Sequence, residues 1–115
     1  IYSYNIVDKE LELVFEAGKF NNEEISAMHH SGKPNSILLF TKSGSIYSGN
    51  TFNKEVVKIV SLFNENQNDQ ITCAIQKNAQ TILIGTLNSK IIECFIVINV
   101  IVKLIEILME QLIYV

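Results

Sequence analysis

With 115 residues and 48% hydrophobic side chains, the chain has the length of one small domain and enough apolar material for a packed core, which excludes a disordered tail. A net charge of −3, a pI near 5.3 and only nine Lys and Arg exclude the concentrated positive charge that phosphate backbones require, so no nucleic-acid partner is expected. The two cysteines are too few for a disulfide framework, and no C-x-x-C pair points to zinc or redox chemistry; a reducing compartment, the cytoplasm, fits.

No basic stretch followed by an apolar one opens the chain, so no secretory signal is read. The initial Ile marks a processed chain or an excerpt of a longer one. Ile1-Tyr2-Ser3 returns as Ile46-Tyr47-Ser48, and Ser36-Ile37-Leu38 as Thr81-Ile82-Leu83, both 45 residues on (46 − 1 and 81 − 36). Aligning residues 1–17 with 46–62 gives identities at Ile1, Tyr2, Ser3, Asn5, Lys9 and Glu10, where chance gives about one. A spacing held over two intervals is the mark of a repeat architecture.

Each aligned copy reads as a short strand, a turn containing Asn and Lys, and a second strand. In the first copy Leu11, Leu13 and Phe15 alternate with Glu10, Glu12 and Glu16, which predicts a strand with one wet face. Residues 18–24 form a polar loop. The short runs 25–28 (ISAM) and 71–75 (ITCAI) read as inner strands, followed by turns at Gly32 to Asn35 and at Lys77-Asn78-Ala79. Ile37 to Thr41 and Ile82 to Thr86 are apolar at successive positions, which predicts central strands buried on both faces. Lys42-Ser43-Gly44 and Leu87-Asn88-Ser89 supply tight turns into Ile46 and Ile91, and Val56 to Leu62 completes the period.

Four short antiparallel strands in 40 to 45 residues are the sequence pattern of one β-propeller blade. Here the chain resembles the WD-repeat family, in the apolar strand, Ser-Gly turn, Ile-Tyr strand and polar hairpin at Ser43 to Lys54. The resemblance spans residues 1–95, with the family's Trp-Asp pair replaced by Tyr4-Asn5, Gly49-Asn50 and Cys94-Phe95 and no Gly-His pair before the first strand. It implies an all-β fold, a partial β-propeller of four-stranded antiparallel blades. Residues 1–17 would be a half blade, 25–62 a full blade and 71–95 a partial one. A closed ring needs at least four blades, so this chain would not close one alone. The resemblance also implies an intracellular scaffold.

The segment 96–115 departs from the repeat, because the turn residues Asn50 to Lys54 correspond to the nearly all-apolar Phe95 to Asn99. Asn99, Lys103, Glu106 and Glu110 fall on one helical stripe, which predicts an amphipathic helix from about Val97 to Leu112 with Lys103 and Glu106 paired. The β-branched content argues instead for a strand at Ile101 to Ile107. Four polar side chains along the segment argue against a membrane span.

Few residues carry chemistry. His29 and His30 are adjacent at a strand end, point to opposite faces and cannot easily share a metal ion. Cys73 and Cys94 lie on predicted strands, where a lone Cys behaves as a small buried hydrophobe. Asp8, Glu10, Glu12 and Glu16 read as a solvated face and Glu23-Glu24 as a loop cap; Ser31-Gly32-Lys33 and Ser43-Gly44-Ser45 read as turns. No phosphate loop, metal-ligand spacing or nucleophile with its base is present, so no catalytic residue, cofactor or metal is expected. The expected function is a non-catalytic scaffold for other proteins, with further blades or self-association through sheet edges and the C-terminal segment. The alternative is an enzyme or sensor propeller whose active groups converge from blades elsewhere, near Glu24 to Ser26 and Gln70 to Thr72.

Overall fold

The order of the strands along the chain is also their order across each sheet. The structure, a computed structural model, describes residues 1–30, 33–64, 67–78, 80–97 and 100–108. Strands β1 (Tyr2–Asn5) and β2 (Glu10–Leu13) form a hairpin, followed by a 3-10 turn at Ala17–Phe20. A first four-stranded sheet contains β3 (Ile25–His30), β4 (Ser36–Thr41), β5 (Ser45–Asn50) and β6 (Val56–Ser61). A second contains β7 (Ile71–Asn78), β8 (Thr81–Thr86), β9 (Lys90–Val97) and β10 (Val100–Leu108). Every pairing is antiparallel, and β8 begins and ends 45 residues after β4. The all-β, antiparallel reading therefore holds.

The same local chemistry builds successive copies. Thr41 Oγ1 accepts the amide of Ser45 at 3.0 Å, and Thr86 Oγ1 that of Lys90 at 3.1 Å. Between them Gly44 and Ser89 take the left-handed φ values, 96° and 60°, that reverse the chain. In the other turn type, Asn5 Oδ1 accepts the amides of Val7 and Asp8 at 3.0 and 3.1 Å. Asn50 Oδ1 accepts those of Phe52 and Asn53 at 2.9 and 3.1 Å. Both turns close on a left-handed lysine, Lys9 (φ 54°) and Lys54 (φ 62°). The identities at Asn5 and Lys9 are thus turn chemistry: Asn bonds its own backbone two residues on, and those bonds hold the reversal.

Alternation along each strand gives every sheet two faces. The front of the first sheet carries Ile37, Leu39 and Tyr47, covered by Phe15 and Phe20 from the segment after the hairpin. Phe20 meets Phe15 and Tyr47 edge-on, with centroids 6.0 and 5.3 Å apart. Gly49 is required here, since a Cβ would stand 2.8 Å from Phe15 Cζ. The back of the first sheet carries Leu38, Phe40 and Ile46, which share one core with Ile82, Ile84, Ile92 and Cys94 on the front of the second. Burying each large apolar side chain contributes about 1.5 to 3 kcal/mol, so this front-to-back contact joins the two sheets.

Three expectations are corrected. Val100–Leu108 is strand β10, not part of a helix over 97–112; of that range 98–99 and 109–112 lie outside the described residues. Its β-branched residues suit a strand, and β9 offers a ladder to satisfy its backbone. The helical spacing of the polar residues has a strand explanation. A bulge between Lys103 and Ile105 sets positions 103 and 106 opposite Cys94 and Ile92, two positions on one face. Glu106 pairs with Lys90 across the strands at 3.0 Å. Leu11 and Leu13, expected on a covered face of β2, are exposed, because nothing described packs on that side of the hairpin. Cys73 is exposed rather than buried, for the same reason on the back of the second sheet; Cys94, on its front, is buried. Among the described residues no helix is long and apolar enough to cross a membrane.

Candidate interaction site

The turns built on Asn5 and Asn50 hold large apolar side chains out in water. Val7 is 88% exposed and Phe52 82%, and they occupy the same place in their turns, two residues after the bonding Asn and two before the left-handed Lys. Ile6 beside Val7 is also exposed. Tight turns normally carry polar residues, and a Phe at a hairpin tip gives up burial worth kilocalories. The two hairpins are tied together, with Lys54 Nζ donating to Glu12 Oε1 at 2.7 Å and to Leu13 O at 3.2 Å. The hydrogen bond and positive charge of Lys54 hold the Glu12 carboxyl below its ordinary value. The acidic stretch that reads as a solvated face thus supplies one anchor for the neighbouring tip.

At the opposite ends of the strands a polar network locks the entry to the first sheet. The Glu23 carboxylate accepts hydrogen bonds from Ser43 Oγ, from Ser45 Oγ at 3.1 Å and from Tyr47 OH at 2.6 Å. Burial works to raise its pKa, but those hydrogen bonds and the charge of Lys58 outweigh it and hold the group below its ordinary value. Burial, with the Glu23 bond, pushes the Tyr47 hydroxyl up. Asp69 stands at the corresponding entry of the second sheet. Its Oδ1 accepts the amides of Gln70 and Asn88 at 2.8 and 3.0 Å. Among the described residues its Oδ2 is buried with no hydrogen-bond partner; the position of Tyr47 is occupied 45 residues later by Ile92, which has nothing to donate. Burial acts to raise Asp69, and the Asn88 and Gln70 amides, the Thr86 hydroxyl and the charge of Lys90 outweigh it and keep it low.

The remaining candidates are scattered. His29 Nε2 bonds Ala74 O at 2.7 Å and its ring stands edge-on to Phe40, while His30 is exposed on the other face. Among the described residues no group of three His, Cys, Asp or Glu is placed to hold a metal. Glu24 pairs with Lys42 at 3.0 Å, and the turn signal at Ser31 and Gly32 lies outside the described residues. Sequence reasoning passed over Val7, Phe52 and Asp69. Signals for them exist: an apolar residue in both Asn-to-Lys turns, and an acid two residues before Ile25 and again before Ile71. Comparison with protein-family models and with curated proteins finds no match to this chain.

Proposed function

We propose that the chain is a non-catalytic protein–protein interaction module, a run of blade-like sheets from an intracellular propeller of the WD-repeat type, that grips its partner with its hairpin tips. The observation that carries this reading is the exposed pair Val7 and Phe52, held at equivalent turn positions by equivalent hydrogen bonds. Interfaces concentrate their energy in a few large apolar or aromatic anchors that fill pockets on the partner, and isolated apolar groups on rigid turns are suited to that use. Rigidity matters because a preorganised anchor loses little entropy when it docks. The reducing compartment rests on two free cysteines, one of them exposed.

The test is affinity capture with the wild-type chain beside a double variant, Val7→Ser with Phe52→Ser. A protein retained by the first and lost by the second, at unchanged melting temperature, supports the reading. An identical set of retained proteins overturns it.

A further inference from the structure

The acids at the two sheet entries are served by different residues at corresponding positions. In the first sheet Ser45 Oγ and Tyr47 OH donate to Glu23. Lys90 and Ile92 stand 45 residues after that pair, and Asp69 stands 46 after Glu23. The entry strands share this offset of 46, since Ile25 and Ile71 pair with the last residues of the central strands, Thr41 and Thr86. Ile92 has no proton to give. Lys90 carries an ammonium, which lies on Glu106 Oε1 of β10 at 3.0 Å.

The backbone of Lys90 nevertheless starts beside Asp69. Its amide donates to Thr86 Oγ1 at 3.1 Å, and two residues earlier the Asn88 amide donates to Asp69 Oδ1 at 3.0 Å, so one turn carries both the lysine and an anchor of the acid. Asp69 is 8% exposed, its Oδ2 has no hydrogen-bond partner among the described residues, and the positive charge of Lys90 already acts on it. A buried acceptor without a donor costs free energy, and the flexible four-carbon stem of a lysine lets its ammonium turn while the backbone stays. We infer that Lys90 is a two-position residue, whose ammonium passes from Glu106 to Asp69 Oδ2 when Glu106 is neutralised or β10 is drawn off the sheet. The entry turn then takes up what the outer strand lets go. The ladder between β9 and β10 is already interrupted by the bulge between Lys103 and Ile105, and release of β10 at Glu106 leaves neither Lys90 nor Asp69 without a charged partner. The first sheet lacks this device, because the short hydroxyl of Ser45 has no stem on which to leave Glu23.

The exchange involves neither Val7 nor Phe52, so it stands or falls apart from the proposed function. Its test is a double-mutant cycle with Glu106→Gln and Asp69→Asn, the second of which keeps Oδ1 as an acceptor for the Gln70 and Asn88 amides and removes the charge. Each single variant leaves Lys90 one acid, whereas the double variant leaves it none. The melting temperature of the double variant is therefore expected to fall by more than the two single losses together, with an excess of about 4 °C or more. The same cycle built on Lys90→Met is expected to be additive. Nuclear Overhauser contacts read the movement itself: the Lys90 Cε protons should meet Glu106 in wild type and Asp69 in Glu106→Gln. Additive losses with Lys90 present overturn the inference, as does an excess that survives Lys90→Met. So does a folded Glu106→Gln chain in which Lys90 makes no contact with Asp69. If Glu106→Gln does not fold, Glu106→Thr, which suits a strand, takes its place under the same criteria.

Discussion

His29 Nε2 donates to the carbonyl of Ala74 at 2.7 Å, joining two residues that stand 45 apart on the first strands of successive sheets. The ring is also edge-on to Phe40, 6.4 Å between centroids, so one side chain belongs to both the polar and the apolar contact between the sheets. Replacing His29 by Phe keeps a ring and removes the donor, leaving a part-buried carbonyl without it. The expected loss is about 1 to 2 kcal/mol, read as a lower urea midpoint; an unchanged midpoint would show that the sheets are joined by apolar contact alone.

Leu38 and Leu83 are the same residue in consecutive repeats with different surroundings. Leu38 is buried under the second sheet, so Leu38→Ala should cost about 2 to 5 kcal/mol. Leu83 is half-buried on the back of the second sheet, and Leu83→Ala should cost about 1 kcal/mol or less. Chemical denaturation compares them; equal shifts would place Leu83 in the core.

Removing the Tyr47 hydroxyl recreates in the first sheet the state of Asp69 in the second. In Tyr47→Phe the Glu23 Oε2 loses its donor and Asn21 Nδ2 loses its acceptor. A cost of about 1 to 3 kcal/mol is expected, with the ring packing on Phe20 kept. Thermal melting measures it, and a stability equal to wild type would mean that water replaces the hydroxyl at no cost.

Acid titration of stability reads the same site. Glu23 has a folded pKa below its unfolded value of about 4.3, so the unfolded chain binds more protons as the pH falls. Its contribution is fully present above the unfolded pKa and is lost as the pH drops through the folded one. Glu23→Gln should therefore flatten the acid limb of the stability curve below about pH 5, while Asp69, lowered in the same sense, keeps some slope. A Gln variant with the wild-type acid limb would show that Glu23 is not the group that titrates.

The strands and turns were legible because each rests on a local signal. Ile37 to Phe40 is apolar at every position since both faces of β4 are covered, and Asn5 and Lys9 recur because a turn of this type uses them. The strand β10 was obscured by its bulge, which spaces polar residues as a helix would. Cys73 and Leu11 misled for another reason: alternation says that a face is apolar, not that anything lies on it. The tips at Val7 and Phe52 run against binary patterning, and a reading built on burial passes over residues whose use begins outside the fold.

In both four-stranded sheets, the described strands are laddered in sequence order, each beside its predecessor or successor in the chain. No sheet waits for a distant segment to complete it, so the loops that close during folding are short and their entropic cost is low. Each sheet can zip from any of its hairpins, and ordering can then spread from one sheet to the next across the front-to-back core. A break in the linker at 62–70 would separate whole sheets and split none. Stretched from its termini, such a molecule should release length in sheet-sized steps.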